Sequence, residues 1–141
     1  MAELGLVVVV EDDDSLREMI CEMLGLAGFR TTACRDGLEA LKTIKEVLPA
    51  VVTLDLHMPG MDGIEVLDHL GRDERTRSIP VVVVSAYVSD RRLRPGGQVK
   101  FVSQKPFDLD ELWQKVKKAS MPPDRCLQTH LPGSMLRSPA V

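Results

Sequence analysis

Residues 51–63 read VVTLDLHMPGMDG. Val51, Val52, Thr53 and Leu54 run into a single carboxylate, Asp55, and then into a turn carrying Pro59, Gly60 and Gly63. A run this short, β-branched and free of polar alternation reads as a strand buried on both faces. The turn residues end it. Asp55 therefore stands at the carboxyl end of a central strand, the edge at which open α/β sheets bind their ligands.

The same pattern recurs on either side. Residues 6–10 are a second apolar run, which stops at Glu11, Asp12, Asp13 and Asp14. A helix follows with Leu16, Met19, Ile20, Met23, Leu24 and Ala27 on one face at a 3.6-residue period. Asp14 or Ser15 caps it, and Met19 and Met23 read as core fillers. Residues 29–33 read as a short strand. Asp36-Gly37 turns into a second helix with Leu38, Leu41, Ile44 and Leu48 inward, closed by Pro49. Beyond the opening stretch, Ile64, Leu67 and Leu70 mark a third helix. Pro80 precedes another fully apolar strand, 81–84, ending at Ser85. Residues 87–98 carry Asp90, Arg91, Arg92 and Arg94, then Pro95-Gly96-Gly97, which oppose a long helix. Residues 99–103 are a fifth strand, ending near Lys105-Pro106. Asp108 caps a last helix with Leu109, Leu112, Trp113 and Val116 on one face, Trp113 packing on the sheet.

Strands and helices alternate five times, which implies an α/β fold: a parallel sheet with helices on both faces and right-handed crossovers. Residues 1–120 read as one domain. Residues 121–141 carry four prolines and no periodicity, and read as a tail without a fold of its own.

Composition narrows the function. A net charge of −3 with no basic cluster gives no electrostatic case for nucleic acid. The apolar runs are too short to span a bilayer, and Glu3 without a basic region argues against a secretory signal. The three cysteines, Cys21, Cys34 and Cys126, are widely spaced. They read as free thiols in a reducing cytoplasm. His57, His69 and His130 show no metal-ligand spacing.

The chemistry lies at one edge of the sheet. The first strand ends in Glu11-Asp12, the third in Asp55 and the fourth in Ser85; Lys105 follows the fifth. Singly these are a solvated acidic face or helix-terminal charge, a turn serine and a surface lysine. At the ends of successive strands they form a constellation. Several carboxylates brought together force one to hold a proton unless a cation sits among them. Oxygen donors favour a hard ion such as Mg²⁺. A cation, a lysine and a hydroxyl around a carboxylate suit phosphoryl transfer, which needs positioning and charge neutralisation. An aspartate is already ionised at neutral pH and needs no base to act as nucleophile.

The stretches VVVVEDDDSLREM, RDGLEAL, VVTLDLHMPGMDG, VVVVSAY and KPFDLDEL resemble the response-regulator receiver domain of two-component signalling, from about Leu4 to Lys118. The resemblance implies a flavodoxin-like, doubly wound five-stranded parallel sheet of order 2-1-3-4-5, an order the general rule for such folds already illustrates with a member of this family. It makes Asp55 the phospho-acceptor. It makes Glu11 and Asp12 the acidic pair that holds Mg²⁺ together with Asp55 and the backbone carbonyl of His57, with Asp13 a further member of the site. Ser85 matches the switch hydroxyl, and Lys105 the lysine that pairs with the phosphoryl group, before a proline, Pro106, usually cis in the family.

Two departures stand out. The crossover after Ser85 implies a shortened or irregular fourth helix. The switch aromatic, three residues before the lysine, is replaced by Val102, with Phe101 one residue further back. A shift of one residue reverses a strand side chain, so either a bulge restores Phe101 or the Ser–aromatic switch is absent.

The implied function is a single-domain receiver in the cytoplasm. It would be phosphorylated by a sensor histidine kinase or a histidine phosphotransfer protein, and act by binding a downstream protein or through a phosphorelay. It would be no turnover enzyme and would engage neither nucleic acid nor membrane. The alternative is a pseudo-receiver that binds partners without phosphorylation. An aspartate-nucleophile phosphatase is disfavoured because His57 stands where such enzymes place a second Asp.

Overall fold

The computed structural model describes residues 4–86, 97–105 and 108–121. In chain order they form β1 (Leu6–Val10), α1 (Asp14–Leu26), β2 (Arg30–Cys34), α2 (Gly37–Val47), β3 (Val51–Asp55), α3 (Gly63–Arg72), β4 (Val81–Ser85), β5 (Val99–Gln104) and α4 (Leu109–Ser120). All pairings are parallel and the strand order is β2-β1-β3-β4-β5. The architecture is the doubly wound α/β sheet anticipated from the apolar runs. The expected short fourth helix falls between β4 and β5, on residues 87–96, outside the described residues. So do Tyr87, Pro106, and the tail from residue 122 with Cys126 and His130.

Strand alternation divides the core in two. Val8, Val10, Val52, Leu54, Val81 and Val83 face α2 and α3, where Ala40, Leu41, Ile44, Val66 and Leu70 cover them. Val7, Val9, Val51, Val82 and Val84 face α1 and α4, meeting Ile20, Leu24, Leu112, Val116 and Ala119. Each fully buried aliphatic side chain contributes about 1.5–3 kcal/mol. This covering on both faces matches the apolar make-up of β1, β3 and β4, broken only by Thr53 and the terminal Asp55 and Ser85.

Several elements differ from what their local sequence implies. The second strand is Arg30–Cys34, and Phe29 is a buried residue leading into it. Asp13, not Asp14 or Ser15, caps α1, accepting a hydrogen bond from the Leu16 N–H. That leaves Asp14 in the first turn. The inward line of α1 is Arg17, Ile20 and Leu24, so Met19 turns out to solvent, 51% exposed, while Met23 packs at the margin. In α2 the inward line is Gly37, Ala40, Leu41 and Ile44, and Leu38 and Leu48 are exposed. The cause is a close approach. A Cβ on Gly37 would lie 2.7 Å from the Met61 carbonyl oxygen, so the helix turns its smallest residue to the loop that follows Asp55. Trp113 packs at the edge of the α1/α4 core, as read.

The β4–β5 pairing resolves the alternatives at the switch position. Val81 pairs with Val99, but Val82 pairs with Phe101, so exposed Lys100 is an extra residue. Such a bulge inverts the alternation beyond it. Val99 and Val102 both lie with the α2/α3 core, and Phe101 lies with the α1/α4 core. Ser85, two residues past Val83, continues the Val83 face. The bulge is present, yet it carries Phe101 away from the face of Ser85 and leaves Val102 there.

Candidate functional site

Register brings the charged residues together. Val10 pairs with Leu54 and Asp55 with Val84, so Glu11 and Asp55 leave neighbouring strands at one level. The Glu11 N–H donates to the Cys34 carbonyl at 3.1 Å, which extends the β1–β2 ladder by one residue. The Lys105 N–H donates to the Ser85 carbonyl at 2.8 Å. That bond holds Lys105 at the same edge, beyond β5. Its Nζ lies 3.0 Å from Glu11 Oε1 and 3.5 Å from Asp55 Oδ2. Glu11, Asp55 and Ser85 are buried, and Asp12 is exposed at the mouth.

The loop after Asp55 is equally fixed. The His57 N–H donates to Asp55 Oδ1 at 3.1 Å, and the His57 side chain is exposed. The Gly63 N–H donates to the Leu56 carbonyl at 2.9 Å. A Cβ on Gly63 would lie 2.5 Å from the Asp55 carbonyl oxygen and 2.7 Å from Leu56 Cα, so only glycine lets α3 begin against the acceptor strand. Asp62 and Glu65 close a capping box on that helix.

Electrostatics follows from the crowding. Burial and the neighbouring Glu11 push Asp55 from 3.8 up to about 7, against the opposing pull of the His57 N–H and Lys105, so without a cation it is not the already ionised aspartate expected from the ordinary value. Burial works against the Lys105 charge, but Glu11 and Asp55 outweigh it and raise its pKa. One lysine thus answers three carboxylates.

That imbalance bears on a metal. Glu11, Asp12 and Asp55 each offer an oxygen within 4.8 Å of the others. Glu11 Oε1 is buried and accepts no well-formed hydrogen bond, although the Lys105 charge is near. An oxygen-only donor set with excess negative charge fits a hard divalent cation such as Mg²⁺. Asp13 does not join the set: its carboxylate caps α1, and its N–H donates to Glu11 Oε2 at 3.1 Å. Cys21 and Cys34 are free thiols. Among the described residues no helix is long and apolar enough to cross a membrane.

One residue at the site escaped the sequence reading. Arg17 is buried on α1, and its Nη1 donates to the Glu11 carbonyl at 2.9 Å. Its available signal was phase: an arginine three residues before Ile20 and seven before Leu24, on the inward line.

A parallel sheet of this order, with an acidic pocket and a lysine at its carboxyl edge, defines the doubly wound, flavodoxin-like class of α/β folds. Within it, the response regulator receiver domain matches residues 7–117, and the chain belongs to that family. The regulatory protein AtoC of Escherichia coli (strain K12) is 36% identical over 123 residues, 84% of this chain. The chain spans only 26% of AtoC. The polar-differentiation response regulator DivK of Brucella ovis is 32% identical over 114 residues, covering 79% of this chain and 92% of DivK. Among solved structures, the receiver domain of Francisella response regulator 1452 superposes with a TM-score of 0.73 at 29% identity, covering 82% of this chain and 96% of that one. Response regulator TrrA of Thermotoga maritima, solved in complex with Mg(2+)-BeF, gives a TM-score of 0.72 at 30% identity, covering 81% of this chain and 97% of that one.

Proposed function

We propose that Asp55 accepts a phosphoryl group from the phosphohistidine of a sensor histidine kinase or a histidine phosphotransfer protein. The chain then signals by phosphorylation-dependent protein binding, or passes the phosphoryl group along a relay. It is itself the modified species, a cytoplasmic signalling domain rather than a turnover enzyme. The observation that carries this reading is Lys105 Nζ bridging two buried carboxylates, Glu11 at 3.0 Å and Asp55 at 3.5 Å, at the carboxyl edge of the sheet.

In the transfer, an Asp55 carboxylate oxygen forms the new P–O bond as the donor P–N bond breaks. The imidazole nitrogen leaves with the bonding pair and regains its proton from solvent. Glu11, Asp12, Asp55 and the carbonyl of His57 would hold Mg²⁺, which neutralises charge on the phosphoryl oxygens when bound. Lys105 supplies the fixed positive charge beside the acceptor. The His57 N–H holds Asp55 Oδ1, leaving Oδ2, the oxygen nearer Lys105, as the attacking atom. Ser85 donates its hydroxyl to the phosphorylated state.

A phosphorylation-independent interaction module is the second reading. It is favoured by Val102 standing on the Ser85 face while Phe101 packs on the other. Incubation with acetyl phosphate, read by intact mass with Mg²⁺ and then with EDTA, separates the two. A single phosphoryl mass gain that needs Mg²⁺ is expected. No gain with Mg²⁺ and several small donors would favour the interaction module.

A further inference from the structure

Arg17 is a buried charge that phosphoryl transfer does not use. It is 9% exposed and lies on the inward line of α1 with Ile20 and Leu24, where an aliphatic residue would pack. Burying an ionised group is costly unless it is paired and hydrogen-bonded. Both arms of the guanidinium are engaged. Nη1 donates to the Glu11 carbonyl at 2.9 Å within the protein, and Nη2 donates to Asp14 Oδ1 near the surface. Glu11 is thereby gripped from two directions, since its N–H donates to the Cys34 carbonyl on β2 while its carbonyl accepts from α1. The second arm ties the guanidinium to Asp14 in the first turn of α1, so one side chain joins the end of β1 to the start of the helix.

We propose that Arg17 is the positioning residue of the acidic pocket: its guanidinium clamps the turn between β1 and α1 so that Glu11 and Asp12 present their carboxylates to a divalent cation. Arginine suits the task because its planar fork holds two acceptors in fixed relation, which a lysine ammonium does not. The sign of the effect distinguishes position from charge. A positive charge beside a cation site repels the cation, so if Arg17 acted by charge alone its removal would tighten binding. If it acts by position, its removal weakens binding.

The inference rests on the pocket reading given under Proposed function, and the test separates the two. Mg²⁺ binding to the full chain is measured by titration calorimetry for wild type, Arg17→Met, Arg17→Lys and Asp12→Ala. Melting without Mg²⁺ is recorded in parallel. Arg17→Met raises the Mg²⁺ Kd by roughly tenfold, the scale on which residues that orient metal ligands act. Arg17→Lys keeps the charge but loses the fork, and falls between Arg17→Met and wild type. It carries the test alone should Arg17→Met fail to fold. A merely structural role would lower the metal-free melting temperature and leave Kd unmoved. Unchanged or tighter Mg²⁺ binding in the folded Arg17 variants overturns the proposal. Wild-type Mg²⁺ binding by Asp12→Ala would instead remove the pocket reading on which it rests.

Discussion

The pocket around Asp55, at the carboxyl ends of β1 and β3, and strand β5, which borders the sheet beyond β4, are built by different forces. The pocket is held by charge and backbone hydrogen bonds: Lys105 between Glu11 and Asp55, the His57 N–H on Asp55, and the Gly63 N–H on the Leu56 carbonyl. Strand β5 is placed by packing, and the extra residue Lys100 decides which core receives Phe101 and which receives Val102. The pocket brings together Glu11, Asp12, Asp55 and Lys105, whereas β5 sets Val102 and not Phe101 on the Ser85 face. On the function proposed above, acceptance of a phosphoryl group and its readout are separable in this fold. The first depends on groups fixed by parallel register, and the second on a strand whose faces a single insertion can exchange.

The largest effect that sharpens the comparison is pH dependence confined to the pocket. Asp55 titrates near 7 in the fold against 3.8 as its ordinary value. A group whose pKa is raised by folding contributes stability below its unfolded pKa and loses it as pH rises through the folded one. Asp55 should therefore withdraw as much as about 4 kcal/mol from the metal-free protein between about pH 4 and pH 7, a loss that Asp55→Asn removes. Mg²⁺ at a hundred times its Kd should restore about 3 kcal/mol at pH 8. Denaturant melts at several pH values with and without Mg²⁺ check both. A stability that rises with pH across this window would contradict the crowding argument.

Gly63→Ala comes next, with an expected loss of about 3 kcal/mol, because the new Cβ meets backbone atoms at 2.5 and 2.7 Å that cannot rotate aside. Chemical denaturation measures it; a loss below about 0.5 kcal/mol would mean the acceptor loop is more pliable than this contact implies. Lys105→Ala should cost about 2 kcal/mol at pH 8, since it leaves Glu11 and Asp55 without their cation. The cost should shrink at pH 5, where Asp55 is protonated. An equal loss at both pH values would break the link between the lysine and that carboxylate.

The smallest effect falls on β5. Phe101→Leu should cost about 1 kcal/mol through the α1/α4 core and leave the rate of phosphorylation by a small donor unchanged. A change in that rate would show that Phe101 communicates with the pocket despite facing away from Ser85.

The sequence was legible where one signal determined the outcome. Short runs of apolar and β-branched residues placed β1, β3 and β4, and the residues that end them placed Glu11, Asp55 and Ser85 at one edge. Readings that depended on tertiary contact went astray. Leu38 and Leu48 read as inward because they are apolar, but Gly37 is the residue that meets the Met61 carbonyl, and that contact sets the rotation of α2. Met19 reads as core because methionine is apolar, yet the inward line passes through Arg17. Capping by Asp13 rather than Asp14 is a choice among adjacent acids that local sequence does not resolve. The bulge at Lys100 carries no glycine or proline to announce it. It arises from how β5 meets β4, so only the pairing revealed which face Val102 occupies.

The central claim is that this pocket delivers a phosphoryl group to Asp55 and to no other residue. The most direct measurement is peptide mapping by mass spectrometry after Mg²⁺ and acetyl phosphate treatment of wild type and Asp55→Asn. The account predicts one phosphoryl group, found on the peptide containing residues 51–63 of the wild type and lost entirely in Asp55→Asn. Modification that persists in Asp55→Asn, or that maps to Asp12, Asp13 or another carboxylate in the wild type, would contradict it.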